Sequence, residues 1–398
     1  MVRYKSSLWL VSAALAAALS LAVTGAATGA ATGADDTGDA TQKITEAVSA
    51  AALQKHLQAF EDIAQAHGGN RADGTEGYRA SVEYVVEKLR EAGYDPQVQL
   101  FQTPYSDHDD HFDHSEQRES YNVLADTGSG DPASTVVVGA HLDSVPEGPG
   151  INDNASGAAG ILAVAEALAG TELQNAVRFA WWGAEEIDLL GSQHYVDDLA
   201  GNDPAALEDI SLYLNFDMIG SPNYGRFVYD GSGAPAGSRE IEDAFHEYFD
   251  SVGLEVGRTE FDDGSDYAAF VDAGIPSGGL YTGADELMSE RDADRFGGRA
   301  EEPHDACYHR SCDDLANIDL QGFEQMSDAA AAVVLRYATS AHGTGTPGLP
   351  ATGAPGDLPG ALAPFAAGVL AVGAVALATA GAVRRDGRTA GHPQRGPD

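Results

Sequence analysis

Five histidine and acidic residues in the middle of the chain stand where they could do chemistry. His141 and Asp143 lie just past the run TVVVG at 135–139, Glu185 and Glu186 just past VRFAWW at 177–182, and Asp217 near the end of YLNFDM at 213–218. Each run has the β-branched or aromatic character of a buried strand, so the five fall at the ends of three strands. In open α/β sheets, ligands gather outside the carboxyl ends of the strands, which gives these residues a common rim. Histidine with several carboxylates is the donor set of a hydrolytic zinc centre, in which the ion takes nitrogen and oxygen ligands and keeps an open position. Two such ions about 3.5–4 Å apart can share a carboxylate and clamp both nucleophile and leaving group.

Other chemistries lack their signatures. There is no GxSxG elbow, and His246-Glu247 is not followed by the second histidine of an HExxH helix. No glycine-rich loop follows a strand with the spacing of a phosphate cradle. The two cysteines, Cys307 and Cys312, lie five apart. In oxidising surroundings they can bridge and tie a local loop; otherwise they are two unpaired buried thiols. The stretch 106–119 (SDHDDHFDHSEQRE) sets three histidines among acids with no diagnostic spacing, and reads as a mobile acidic loop. Trp181 and Trp182 read as core or pocket wall.

The elements that must position the rim follow from hydrophobic period. Residues 81–92 (SVEYVVEKLREA) place Val82, Tyr84, Val85 and Leu89 on one side, a helix closed by Gly93. QVQLF at 97–101 alternates like a strand, whereas TVVVG is continuous, as in a strand buried on both faces. Residues 157–168 are small and apolar, a helix packed close to a sheet; 177–182, 213–218 and 225–229 supply further strands. There is no internal repeat. Strands alternating with helices predict an α/β fold, a three-layer sandwich with a mostly parallel central sheet.

The ends read differently from the middle. Of 22 basic and 62 acidic residues, net −40, the segment 35–340 carries 16 and 59. A field that negative repels a phosphate backbone, which excludes nucleic acid as a partner. It reads as a solubility or salt adaptation, and it disfavours acidic substrates. Residues 1–34 read as a signal peptide, with Arg3 and Lys5 before an apolar run at 8–23 and then Ala27, Ala31 and Ala34. A Pro/Gly/Thr linker at 341–360 contains Leu349-Pro350-Ala351-Thr352-Gly353. An apolar stretch at 361–383, long enough to cross a bilayer, precedes a basic tail at 384–398 that opens with Arg384 and Arg385. That order resembles the sorting signal that sortases cut between Thr and Gly before linking a protein to the cell wall; the alternative is a single-pass membrane tail.

Six segments of the middle carry a more specific likeness. GAHLDSV (139–145), GINDNASG (150–157), FAWWGAEE (179–186), YLNFDMIGSPN (213–223), GIPSGGLYTGA (274–284) and CYHRSCD (307–313) resemble the secreted bacterial two-zinc aminopeptidases of the aminopeptidase S type. The likeness runs from His67-Gly68-Gly69-Asn70-Arg71 to about residue 340, and makes 35–340 the catalytic domain, of the zinc exopeptidase fold. It implies two Zn2+ per chain, with Asp153 bridging them, His141 and Asp217 completing one site, and Glu186 and His309 the other. By the same resemblance Glu185 is the general base and Tyr308 the hydrogen-bond donor to the oxyanion. Asp143 accepts the second imidazole N–H of His141, a Cys307–Cys312 bridge holds Tyr308 and His309, and the Asp153–Asn154 peptide is cis.

These implied roles agree with charge and geometry. Adjacent Glu185 and Glu186 cannot point the same way from an extended strand end, so a turn must separate their tasks. Three ligand carboxylates leave one of four zinc charges for a bound hydroxide. Two departures concern substrate choice: Gly264 stands where close relatives have an arginine that helps position the substrate, and Tyr267 where more distant members have histidine. A stabilising calcium, known in some relatives, finds only Glu46, Glu324 and Asp328 as poorly matching candidates.

The expected protein is a monomer, exported through signal peptidase and anchored by sortase, that removes large apolar N-terminal residues from peptides with a free N-terminus. Alternatives are a carboxypeptidase or a one-zinc glutaminyl-cyclase-like member of the same fold, or a non-catalytic surface ectodomain. The last requires lost ligands, and all five are present.

Overall fold

The computed structural model describes residues 33–107 and 111–340, with side chains from 40–103 and 118–340. The signal segment up to 32, the sorting motif, the apolar stretch at 361–383 and the basic tail lie outside the described residues. Among those described, no helix is long and apolar enough to cross a membrane.

Three helices, α1 (Gly33–Ala47), α2 (Ala50–Ala66) and α3 (Glu76–Ala92), precede the first strands. The chain continues through β1 (Gln97–Asp107), β2 (His111–Asp126) and β3 (Asp131–His141), a π-turn at Ile151–Ser156, α4 (Gly157–Leu168) and β4 (Asn175–Trp182). Next come α5 (Leu190–Asn202), α6 (Pro204–Glu208), β5 (Ile210–Phe216), β6 (Phe227–Tyr229), α7 (Ser238–Ser251) and β7 (Gly257–Thr259). The last elements are α8 (Tyr267–Asp272), β8 (Ser277–Tyr281), α9 (Glu290–Phe296) and α10 (Leu320–Thr339). The helix foreseen at 81–92 starts a turn earlier, where the Thr75 side chain accepts the N–H of Tyr78. It ends at Gly93, whose φ of 96° is open to glycine at little cost.

The sheet has eight strands in the order β1-β2-β4-β3-β5-β8-β6-β7. Its centre, β4-β3-β5-β8, is parallel. The flanks are not uniformly so: β2 runs antiparallel to β4 and β1, and β6 antiparallel to β8. Side chains alternate between faces with the period of two that a strand imposes. Val136, Val138, Phe179, Trp181, Leu212 and Leu214 join one apolar layer, under α2, α3, α4, α7 and α10; Val137, Ala180, Trp182 and Tyr213 join the other, under α5 and α8. This is the expected three-layer sandwich. α4 is built of small and apolar residues, and ten of its twelve residues are buried.

The acidic loop expected at 106–119 is instead strand on both arms. β1 runs to Asp107 and β2 starts at His111, with Asp107 opposite His111 and Thr103 opposite Arg118. Charge density had suggested irregular chain, but an edge hairpin tolerates charged residues well, since they also discourage pairing with another chain.

Gly139 sits in β3 two residues before His141, and an added Cβ would meet the Tyr213 hydroxyl and the Trp182 indole nitrogen, which are hydrogen-bonded to each other at 3.0 Å. Gly139→Ala is expected to cost about 1–3 kcal/mol through overpacking. A thermal or urea unfolding curve matching wild type would refute this.

Candidate metal centre

Strand register brings the candidate ligands to one edge. His141 is the last residue of β3 and lies opposite Trp182, the last of β4; Gly139 lies opposite Asn215 near the end of β5. Beyond β4 the chain turns through Ala184 in the left-handed region (φ 56°), and beyond β5 comes Asp217. The π-turn between β3 and α4 supplies Asp153, and its peptide with Asn154 is cis, as the resemblance implied.

The distances define two groups around one shared carboxylate. His141 Nε2 lies 3.1 Å from Asp153 Oδ1 and 3.3 Å from Asp217 Oδ1. His309 Nε2 lies 3.2 Å from Asp153 Oδ2 and 3.0 Å from Glu186 Oε2. Asp153 thus turns one oxygen toward each histidine. Glu185 approaches the first group less closely, with Oε2 3.9 Å from His141 Nε2. The two adjacent glutamates serve different groups, as the turn requires. Ligand atoms of His141, Asp153 and Glu186, and of His141, Glu185 and Asp217, cluster within 4.8 Å. Glu186 Oε1 and Asp217 Oδ1 are buried without a hydrogen-bond partner. Orphaned carboxylate oxygens are costly to bury, and a cation is the partner that satisfies several at once. The mixed nitrogen and oxygen donors fit zinc.

Neutral donors hold four of the acids, Asp143, Asp217, Asp305 and Asp313, in their orientations. The Asp143 carboxylate accepts the N–H groups of Glu185 (3.2 Å) and Glu186 (3.4 Å), which fixes the glutamate turn. His141 Nδ1 is hydrogen-bonded to the Asp143 carbonyl at 3.2 Å, while the carboxylate expected to accept it lies 3.6 Å away and is engaged by the glutamate turn. Ser265 donates to Asp217 Oδ2 at 2.7 Å, and itself accepts from Asn215 at 2.9 Å. Asp313 accepts the N–H groups of Asn152 (2.8 Å) and Asp153 (3.0 Å). Asp305 accepts from Asn152, Asn317 and the N–H of Cys307. Cys307 and Cys312 are joined, S–S 2.07 Å, around Tyr308 and His309. The Tyr308 ring stacks on His309 with centroids 3.8 Å apart.

Several of these residues escaped the sequence reading. Asp313 and Ser265 lie inside segments already singled out; Asp305 and Asn317 had no signal. Asp266 is also buried there, with neither carboxylate oxygen hydrogen-bonded, and burial pushes it up to about 7. Gly264 and Tyr267 stand apart from the ligands: the Tyr267 hydroxyl accepts the N–H groups of Asp262 and Gly264 and so shapes the 262–264 turn. The calcium candidates form no ligand group among the described residues. Glu46 accepts from Gln42, Glu324 accepts the N–H of Ala50, and Asp328 is pushed up to about 7 by burial and by Glu324. Both tryptophans are core.

Without metal, the centre holds protons. Burial raises Glu185 well above the carboxylate range and pushes Glu186 up to about 8, with Asp153 adding to the latter. Burial works against a charged His141, but Glu185 and Asp217 outweigh it and hold the imidazole well above its usual value. His309, opposed by burial in the same way, is pushed up to about 10 by hydrogen bonds to Asp153 and Glu186. Burial and the neighbouring carboxylates also raise the Tyr308 hydroxyl, which keeps it a donor.

Comparison with known proteins gives the family of the chain. The model of peptidase family M28 matches residues 122–334, more than half of the chain. Leupeptin-inactivating enzyme 1 of Streptomyces exfoliatus is 43% identical over 300 residues, covering 75% of this chain and 63% of that protein. An aminopeptidase of Pseudomonas aeruginosa (strain UCBPP-PA14) is 52% identical over 221 residues, covering 54% and 41%. The chain therefore spans less than two thirds of the curated relatives it matches. Among solved structures, a zinc aminopeptidase from Bacillus subtilis superposes with a TM-score of 0.59 at 18% identity, covering 73% of this chain and 95% of that one. The chain belongs to peptidase family M28.

The protons held at the centre make metal uptake pH-dependent. Neighbouring carboxylates favour the protonated imidazoles of His141 and His309 in the metal-free protein, and a nitrogen must be unprotonated to become a ligand. Zinc uptake at pH 7 is expected to release about one proton or more per ion, and to weaken as the pH falls. Calorimetric titration in two buffers of different ionisation enthalpy measures this; equal heats in both would contradict it.

Proposed function

We propose that this member of peptidase family M28 is a two-zinc aminopeptidase that removes N-terminal residues, large apolar ones first, from peptides. The observation that carries the reading is Asp153, whose two oxygens face two histidines, each with a further carboxylate beside it. His141, Asp153 and Asp217 would hold one ion, and His309, Asp153 and Glu186 the other. Bound there, zinc supplies a Lewis acid that polarises the scissile carbonyl and acidifies water.

The remaining steps belong to the chain. Glu185 stands off from the histidines, and its high proton affinity without metal marks a carboxylate in a low-dielectric position. It takes the proton of the attacking water and hands it to the departing amine. Tyr308, protonated and beside His309, donates to the oxyanion of the tetrahedral intermediate. The free amino group binds beside Glu185 and Asp217, whose carboxylate oxygens can accept its N–H groups, and this selects a chain terminus over an internal bond. The preference for large apolar residues is carried by the family resemblance.

Export and wall attachment belong to the same proposal. They are supported by the basic-then-apolar start of the sequence, by the LPATG motif before an apolar stretch and arginines, and by a disulfide of the kind that persists outside the cytoplasm.

The full chain is expected to cleave leucyl-p-nitroanilide but not its N-acetyl derivative. Glu185→Gln should lower kcat about 10²–10⁴-fold while elemental analysis still finds two zincs. Equal cleavage of the blocked substrate, or an unchanged kcat, would sink the reading. In a sortase-bearing Gram-positive host, wild type is expected in the wall fraction and Thr352→Ala outside it; equal recovery in the wall would remove the anchoring proposal.

A further inference from the structure

Arg71 is the one arginine with a fully inaccessible side chain among the described residues, at 0% exposure. It lies between α2 and α3, in the segment that opens the family likeness. A buried cation is expected to seek a carboxylate, yet Arg71 forms no ion pair among the described residues. Its hydrogen bonds go to carbonyl oxygens. Nε donates to Pro149 at 2.9 Å, Nη2 to Gly150 at 2.6 Å, and Nη1 to Leu142. Its own backbone exchanges hydrogen bonds with Ser144: its N–H donates to the Ser144 hydroxyl at 2.9 Å, and its carbonyl accepts the Ser144 N–H at 3.3 Å. The Phe60 ring packs 5.2 Å from the guanidinium and closes the far side.

Those carbonyls belong to the two ends of one loop, residues 142–150, between β3 and the π-turn. Leu142 and Ser144 follow His141 at the end of β3, whereas Pro149 and Gly150 lead directly into Asp153. One planar, rigid fork therefore spans the two segments that carry His141 and Asp153, a geometry that lysine cannot reproduce. Burial lowers the guanidinium to about 10, opposed by Asp143, Asp313, Asp153 and Glu186 acting through space, so it remains charged at neutral pH.

We propose that Arg71 is a positioning residue of the metal centre: its fork ties the two ends of the 142–150 loop and so fixes the spacing of His141 and Asp153, and metal affinity depends on that spacing. The inference rests on the zinc reading above. Charge and geometry predict opposite signs. A fixed cation near two dications repels them, so if charge were its only role, removing it would tighten zinc binding. If it acts as a clamp, removing it weakens binding despite the lost repulsion.

The test titrates metal-stripped full-length wild type, Arg71→Met and Arg71→Lys with zinc against a chromophoric chelator, and records melting temperatures with and without zinc. Both variants are expected to bind zinc about tenfold or more weakly, the range seen when support of a ligand is lost, with a smaller rise in Tm on zinc addition. Arg71→Met binding zinc as tightly as wild type, or more tightly, with only a lower metal-free Tm, would overturn the clamp. So would Arg71→Lys matching wild type, since a single ammonium would then suffice. Failure of both variants to fold would make Arg71 a residue of the fold rather than of the centre, and also overturn it. A wild-type chain that takes up no zinc overturns the zinc reading and the clamp together, whereas normal wild-type uptake beside unchanged variants overturns the clamp alone.

Discussion

Mutual repulsion among buried carboxylates is the constraint around which this molecule is arranged. Asp143, Asp153, Glu185, Glu186, Asp217, Asp266, Asp305 and Asp313 crowd the C-terminal edge of one sheet, and Arg71 is the fully buried cation beside them. Left to themselves, such groups take up protons or turn to solvent. Here several are held by dipoles instead: backbone amides on Asp143 and Asp313, side-chain amides on Asp305, a hydroxyl on Asp217. These donors occupy the outer oxygens. What they leave is a small set of oxygens, Glu186 Oε1 and Asp217 Oδ1 among them, without a hydrogen bond among the described residues and close to the two imidazoles.

The fold makes this arrangement affordable by putting it where rigid elements end. Parallel strands packed on both faces give β3, β4 and β5 termini with little freedom, and each strand delivers a ligand at its end or within four residues of it. The two ligands that do not follow strands, Asp153 and His309, need other restraints. Asp153 has the Asp313 and Arg71 contacts on its loop; His309 has a disulfide and a left-handed backbone at φ 55°. The less regular the segment, the more bonds the structure applies to it.

That difference explains what could be read from the sequence. His141, Glu185, Glu186 and Asp217 were legible because a β-branched or aromatic run ends just before each, and strand ends in such sheets have a known use. Asp153, His309 and Tyr308 had no local pattern and came only through family likeness. Arg71 and Asp305 had no readable role because they act on partners 70 or more residues away, and Asn317 because it only orients Asp305 and Asp313; neither hydrophobic period nor motif encodes such contacts. The 106–119 stretch misled for the opposite reason. Its composition was conspicuous, but charge content reports exposure rather than backbone conformation, and an exposed edge hairpin satisfies it as well as a loop does.

The ligands also differ in how much solvent they see. His309 is 41% exposed, whereas His141, Asp153 and Glu186 are nearly closed off at 1–6%, and Asp217 is little more open. The centre thus meets solvent chiefly at His309. A metal held there would exchange with the surroundings more readily than one held by His141 and Asp217, so the two halves of the centre would differ in permanence.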